Sequence, residues 1–151
     1  MNLFEALWSN HVLIGALAGW LIAQGLKAPI EYLATRKWRW SAMLSAGGMP
    51  SSHSALMVST TLGVGLHVGF DVPEFAIAVA ITMIVVYDAA GVRRQAGMHA
   101  ERINVLFDEL MRGHMWSEKD LREVIGHSPL EVAGGILLGL IVGVVNWMIF
   151  T

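Results

Sequence analysis

The 151-residue chain contains no cysteine. Disulfides and thiolate metal sites are therefore excluded, and composition carries no mark of a redox compartment. Charge is scarce too: Asp, Glu, Lys and Arg make up 15% of the residues, against roughly 25% in soluble domains. No basic segment precedes the first apolar run, which follows "MNLFE", and no small-residue cleavage site stands out, so no cleavable signal peptide is expected. There is no internal repeat and no low-complexity tract. What is abundant is apolar: 55% of residues are hydrophobic and the mean hydropathy is +0.57. A chain of this length forms one domain, taken as 1–151, and this composition points to a membrane.

Four segments read as membrane helices: about 6–26, 53–70, 74–90 and 130–150. A crossing needs ~20 apolar residues, with a range of about 17–25. Small residues recur in these segments, among them Gly15, Ala16, Ala18 and Gly19, and Gly134, Gly135, Gly139 and Gly143. In lipid such residues let helix backbones approach closely. The expected fold is all-α: an integral membrane four-helix bundle. Residues 28–50 and 91–129 are polar loops. The second holds one or two interfacial amphipathic helices, because "QAGMHAERINVLFDELMR" puts Ala96, His99, Ile103, Leu106 and Leu110 on one face. "SEKDLREVI" suggests a second, shorter one.

Four crossings place both polar loops on the same side. All ten Lys and Arg residues then fall there: Lys27, Arg36, Lys37, Arg39, Arg93, Arg94, Arg102, Arg112, Lys119 and Arg122. By the positive-inside rule that side is cytoplasmic and both termini lie outside, as in a bacterial inner membrane. The cations are thereby used for orientation, and no nucleic-acid partner is expected. "TRKWRW" reads as an interfacial anchor, with snorkelling cations and indoles at the headgroups. A homodimer is left open.

The same threading gathers the chemistry-bearing residues at the cytoplasmic end. Lys27 ends the first helix, "GGMPSSH" opens the second, "YDAAGVRR" closes the third and "GHSPLE" opens the fourth. In "GGMPSSH", Ser51 or Ser52 can cap a helix, and the helix start offers backbone N–H groups and positive potential to a phosphate; a plain capped helix explains the same serines. In "HSPLE", Ser128 and Glu131 make a capping box with Pro129 at the first helical position. That leaves His127, whose ring a carboxylate four residues on can hold, freeing the other nitrogen as nucleophile or base. Asp88 sits near a helix C-terminus, where negative charge is disfavoured. Arg93 and Arg94 follow it and suit a phosphate clamp; a local Asp–Arg pair is the alternative. His11 and His67 lie at the far end and read as packing residues, and His114 as a loop residue. The histidine spacing matches no metal motif, so no metal and no cofactor is expected.

These blocks resemble the divergent branch of the type 2 phosphatidic acid phosphatase superfamily, related to acid phosphatases and vanadium haloperoxidases. Its motifs are K-x6-R-P, P-S-G-H and S-R-x5-H-x3-D. "PSSH", residues 50–53, matches the second with Ser52 in place of glycine. Lys27 stands for the first-motif lysine, although Arg36 comes nine residues later and no R-P follows. The third motif fits in two ways: Arg93-x5-His99 keeps the spacing but lacks the serine and the aspartate, whereas a split motif pairs the arginines with His127-x3-Glu131. The split form is preferred because it keeps a carboxylate, and His99 remains the alternative nucleophile. The resemblance implies a metal-independent phosphatase acting on a lipid phosphate of the phosphatidate, phosphatidylglycerophosphate or polyprenyl phosphate type. His127 would attack phosphorus, Glu131 would orient it, and His53 would act as acid and then base. Lys27, Ser51, Ser52, Arg93 and Arg94 would hold the phosphoryl oxygens, with Asp88 in support. The alternative is a non-catalytic phosphate or lipid-headgroup binding or transport protein that keeps the pocket.

Overall fold

The computed structural model describes residues 2–45, 47–91, 99, 102–103, 106–107 and 128–151. Among the described residues five α-helices and one 3-10 helix have defined bounds, and there is no strand. The helices are α1 (Leu3–Trp8), α2 (His11–Thr35), α3 (Ser52–His67), α4 (Pro73–Ala90) and α5 (Pro129–Phe150), with the 3-10 turn at Trp40–Leu44. In the segment expected to carry amphipathic helices, His99, Arg102, Ile103, Leu106 and Phe107 are helical and exposed; "SEKDLREVI" lies outside the described residues.

The first helix departs from the expected 6–26. The chain breaks at Ser9 and Asn10, because the Asn10 side chain accepts from Leu13 N (3.0 Å) and starts a new helix. At the other end α2 runs on to Thr35 through Pro29. Pro29 has no N–H for the carbonyl of Gly25, yet the helix stops only at Arg36, whose φ of 58° is a left-handed cap. The first part of the expected loop 28–50 is therefore helix.

The ends of α3, α4 and α5 follow local chemistry. Ser51 caps α3, accepting from Ser54 N. Pro73 opens α4, where the missing N–H has no helical partner to lose. Ser128 and Glu131 form the capping box of α5 with both reciprocal bonds present. The α3 of 16 residues spans only about 24 Å at 1.5 Å per residue. By length and composition, α2 and α5 are the described helices that satisfy the requirements for crossing a membrane.

Helix α3 packs against α2, α4 and α5. Gly135, Gly139 and Gly143 form a stripe on α5. A Cβ at Gly139 would stand 2.8 Å from the Ala55 carbonyl oxygen, and one at Gly143 would stand 2.9 Å from Leu62 Cδ2. On α2, a Cβ at Gly19 would meet Ser59 Oγ at 2.7 Å. Backbones approach at these points because nothing larger than hydrogen projects there. Between α3 and α4 the contact is polar: Thr61 Oγ1 lies 2.7 Å from Thr82 Oγ1, and Thr82 donates to the Met57 carbonyl at 3.2 Å. Pairing of 57 with 82 and of 61 with 78 makes α3 and α4 antiparallel. Pairing of 51 with 135 and of 62 with 143 makes α3 and α5 parallel.

The interior is built from small side chains. Ala16, Ala23, Ala28, Ala55, Ala78 and Ala89 are buried beside Ser51, Ser52, Ser54 and Ser59, while Leu, Ile, Met, Phe and Trp residues such as Leu137, Ile141, Ile84 and Met148 point outward. In a water-soluble domain the large apolar residues occupy the core.

Candidate functional site

The starts of α3 and α5 are joined. The backbone N–H of Ser51 donates to the carbonyl oxygen of Glu131 at 2.9 Å, so the cap of one helix is bonded to the first turn of the other. Gly135 allows this approach: a Cβ there would overlap the Ser51 carbonyl oxygen and stand 2.9 Å from Ser54 Cβ. Ser51 Oγ accepts from Ser54 N at 3.3 Å and from Ser54 Oγ at 3.1 Å. Ser51 and Ser52 are both buried. The turn before them bends at Gly48 (φ 91°), a left-handed conformation that suits glycine.

Lys27 reaches the same place from α2. A Cβ on Gly48 would stand 3.9 Å from Lys27 Cδ, and the charge of Glu131 acts on the Lys27 ammonium. Lys27 is only 2% exposed; such a buried cation requires partners. Its Nζ donates to the Ser45 carbonyl at 2.7 Å. One helical turn earlier, Gln24 Nε2 donates to the Met43 carbonyl at 3.0 Å, while its Oε1 is buried with no hydrogen-bond partner. Sequence reasoning missed Gln24 and Ser45. The available signal was two polar residues three apart on an apolar helix, which share a face.

Among the sequence-nominated residues, the structure brings Lys27, Ser51, Ser52 and Glu131 together. His53 lies half-buried on the first turn of α3. Asp88 is half-buried on the last turn of α4, and the antiparallel register carries that turn toward the start of α3. His99 is helical and exposed. His127, Arg93 and Arg94 lie outside the described residues. Glu131 Oε2 accepts from Ser128 N at 2.9 Å, so the carboxylate serves the capping box. Two helix starts and a buried ammonium contribute positive potential, which the Glu131 carboxylate in the first turn of α5 offsets in part.

The family model described as the Divergent PAP2 family matches residues 8–142, which include α2 to α4 and more than half of α5. The chain belongs to this family. It is 38% identical over 150 residues to the "Uncharacterized membrane protein YuiD" of Bacillus subtilis (strain 168), covering 92% of this chain and 95% of the relative. No solved structure matches it.

Proposed function

We propose that this chain is an integral membrane protein in which α2, α3, α4 and α5 all cross the bilayer, and that it hydrolyses a lipid phosphate at the cytoplasmic headgroup level. The apolar exterior, the small-residue interior and the membrane relative support the first part. The bond from Ser51 N–H to the Glu131 carbonyl carries the second. It joins Ser51 of the "PSSH" block to Glu131, eighty residues on, which supports a site shared by these two parts of the chain. Family membership adds to this reading.

In this reading a ring nitrogen of His127 attacks phosphorus while the bond to the lipid oxygen breaks. His53 donates a proton to that leaving oxygen. Glu131 holds the other ring nitrogen of His127 and stabilises its positive charge. His53 then takes a proton from water, whose oxygen attacks the phosphohistidine and releases inorganic phosphate. Lys27, Arg93, Arg94 and the backbone at Ser51 and Ser52 meet the charge on the equatorial oxygens.

The test is phosphate release from a panel of lipid phosphates by purified protein, with chelator present and with vanadate as inhibitor. His127→Ala is expected to abolish release while helicity by circular dichroism is kept. Full release by that variant refutes the nucleophile. A second reading is favoured by the Glu131 capping bond and by the Lys27 bond to Ser45. Groups already satisfied within the protein suit a headgroup-binding or transport protein that turns nothing over. Saturable binding of phosphate without turnover on any substrate in the panel selects it.

A further inference from the structure

At the end of the molecule opposite the joined helix starts, the beginning of α2 and the end of α3 enclose an open cleft of about 440 Å³ whose walls include Ser9, Asn10, His11, Val12, His67 and Val68. His11 and His67 bring their ring centroids to 5.6 Å. Phe150 stacks on the His11 ring at 4.3 Å and fixes its plane. His67 Nε2 lies 3.3 Å from the side-chain carbonyl oxygen of Asn146, which is buried in α5. A carbonyl oxygen only accepts, so Nε2 carries the proton and Nδ1 of neutral His67 keeps its lone pair. His11 Nδ1 is buried with no hydrogen-bond partner. Two oriented imidazoles on a cleft, one of them unsatisfied, exceed what the packing of helix ends requires.

We propose that this cleft binds a divalent transition-metal ion through one ring nitrogen each of His11 and His67, with water completing the coordination. Imidazoles bound to one ion at about 2.0–2.1 Å place their centroids roughly 5–6.5 Å apart, which includes the observed 5.6 Å. A ligating histidine ordinarily donates its other N–H to a carbonyl or carboxylate, as His67 does to Asn146. The ligand class follows from what lines the cleft. Among the described residues no Lys or Arg lines it to balance an anion, and no Asp or Glu lines it to suit calcium or magnesium. Imidazole nitrogen selects copper, nickel and zinc. No group of three or more metal-binding side chains occurs among the described residues, so affinity is modest and rises toward Cu²⁺. The proposal is independent of the phosphatase reading.

The experiment uses tag-free full-length protein in detergent, with His53, His99, His114 and His127 replaced by Ala, titrated with Cu²⁺ and followed by electron paramagnetic resonance. One-to-one saturable binding with couplings to two nitrogens is expected. His67→Ala or His11→Ala in that background is expected to raise Kd at least tenfold and leave one coupled nitrogen. Absence of saturable binding by the folded parent, or a two-nitrogen signal that survives loss of both residues, overturns the site. If the fourfold variant loses its helical circular dichroism, the His11→Ala and His67→Ala single variants are compared with wild type, and an unchanged Kd in both overturns it equally.

Discussion

Replacing Gly135 by Ala tests the joint between α3 and α5 directly. The added methyl would overlap the Ser51 carbonyl oxygen, stand 2.9 Å from Ser54 Cβ and stand 3.1 Å from Ser51 Cβ. One of these neighbours is backbone and the others are the first side-chain atoms of the α3 start, so no flexible tip can swing aside. Overpacking of this kind costs about 1–3 kcal/mol. Moving α5 outward also stretches the bond from Ser51 N–H to Glu131, at about 1 kcal/mol or more if the donor is left buried and unpaired. Alanine in a helix interior returns roughly 1 kcal/mol relative to glycine. The net expectation is a loss of about 1–3 kcal/mol, together with weakening of any anion binding at the joined helix starts. Gly25→Ala is the control, because a methyl there meets nothing within 4 Å, and it is expected to be neutral or stabilising. Reversible unfolding of both variants in mixed micelles, followed by circular dichroism, gives the comparison. If Gly135→Ala matches wild type within about 0.5 kcal/mol, the size of an ordinary surface change, the close-approach argument is wrong.

Three further outcomes are expected. Glu131→Gln keeps a side-chain acceptor for the capping box and should leave stability within about 0.5 kcal/mol while lowering any phosphate release at least about tenfold, the effect of about 1.4 kcal/mol in a barrier. Ser128→Ala should instead cost about 1 kcal/mol of stability, and equal effects of the two variants on stability would contradict the separation of roles. Thr82→Val removes the donor to Met57 and the contact with Thr61; a loss of about 0.6 kcal/mol, with about 1.7 as the ceiling, should appear in the same unfolding assay, and no loss would show that the α3–α4 contact rests on shape alone. Since the native chain has no cysteine, Trp40→Cys should react with an impermeant maleimide only from the cytoplasmic side of sealed vesicles and Asp71→Cys only from the other; labelling of both from one side refutes the four-crossing topology.

Elements whose ends are written in local chemistry were legible from sequence. Ser51, Ser128 and Pro129 each act within one turn, and α3, α4 and α5 start within a residue of the expected positions. The end of α2 was not legible. Lys27 and Pro29 resemble stop signals, but burial of Lys27 and Ala28, with the bonds of Gln24 and Lys27 to the carbonyls of residues 43 and 45, ties this turn to the segment before α3. Those partners are 18 and 19 residues away, beyond the reach of propensity. The small-residue pattern showed that helices would touch, yet it could not show that Gly135 would receive the Ser51 carbonyl oxygen.

The same distinction applies to charge. On the four-crossing reading, Lys27 is one of ten cations that fall on one side and would orient the chain. Among the described cations it is set apart by burial: Arg36, Lys37, Arg39 and Arg102 are exposed, and Arg39 pairs with Glu31. A fully exposed cation is sufficient for orientation, since hydration of the charge is what resists its translocation. Sealing an ammonium beneath the Ser45 carbonyl, within the field of Glu131, instead carries a desolvation cost that orientation does not require. Packing does not require it either, because an aliphatic side chain of the same length would fill the space without that cost. The sequence pattern therefore accounts for the sign of the charge, whereas its burial beneath the Ser45 carbonyl is a separate feature that the proposed phosphate-binding role would explain.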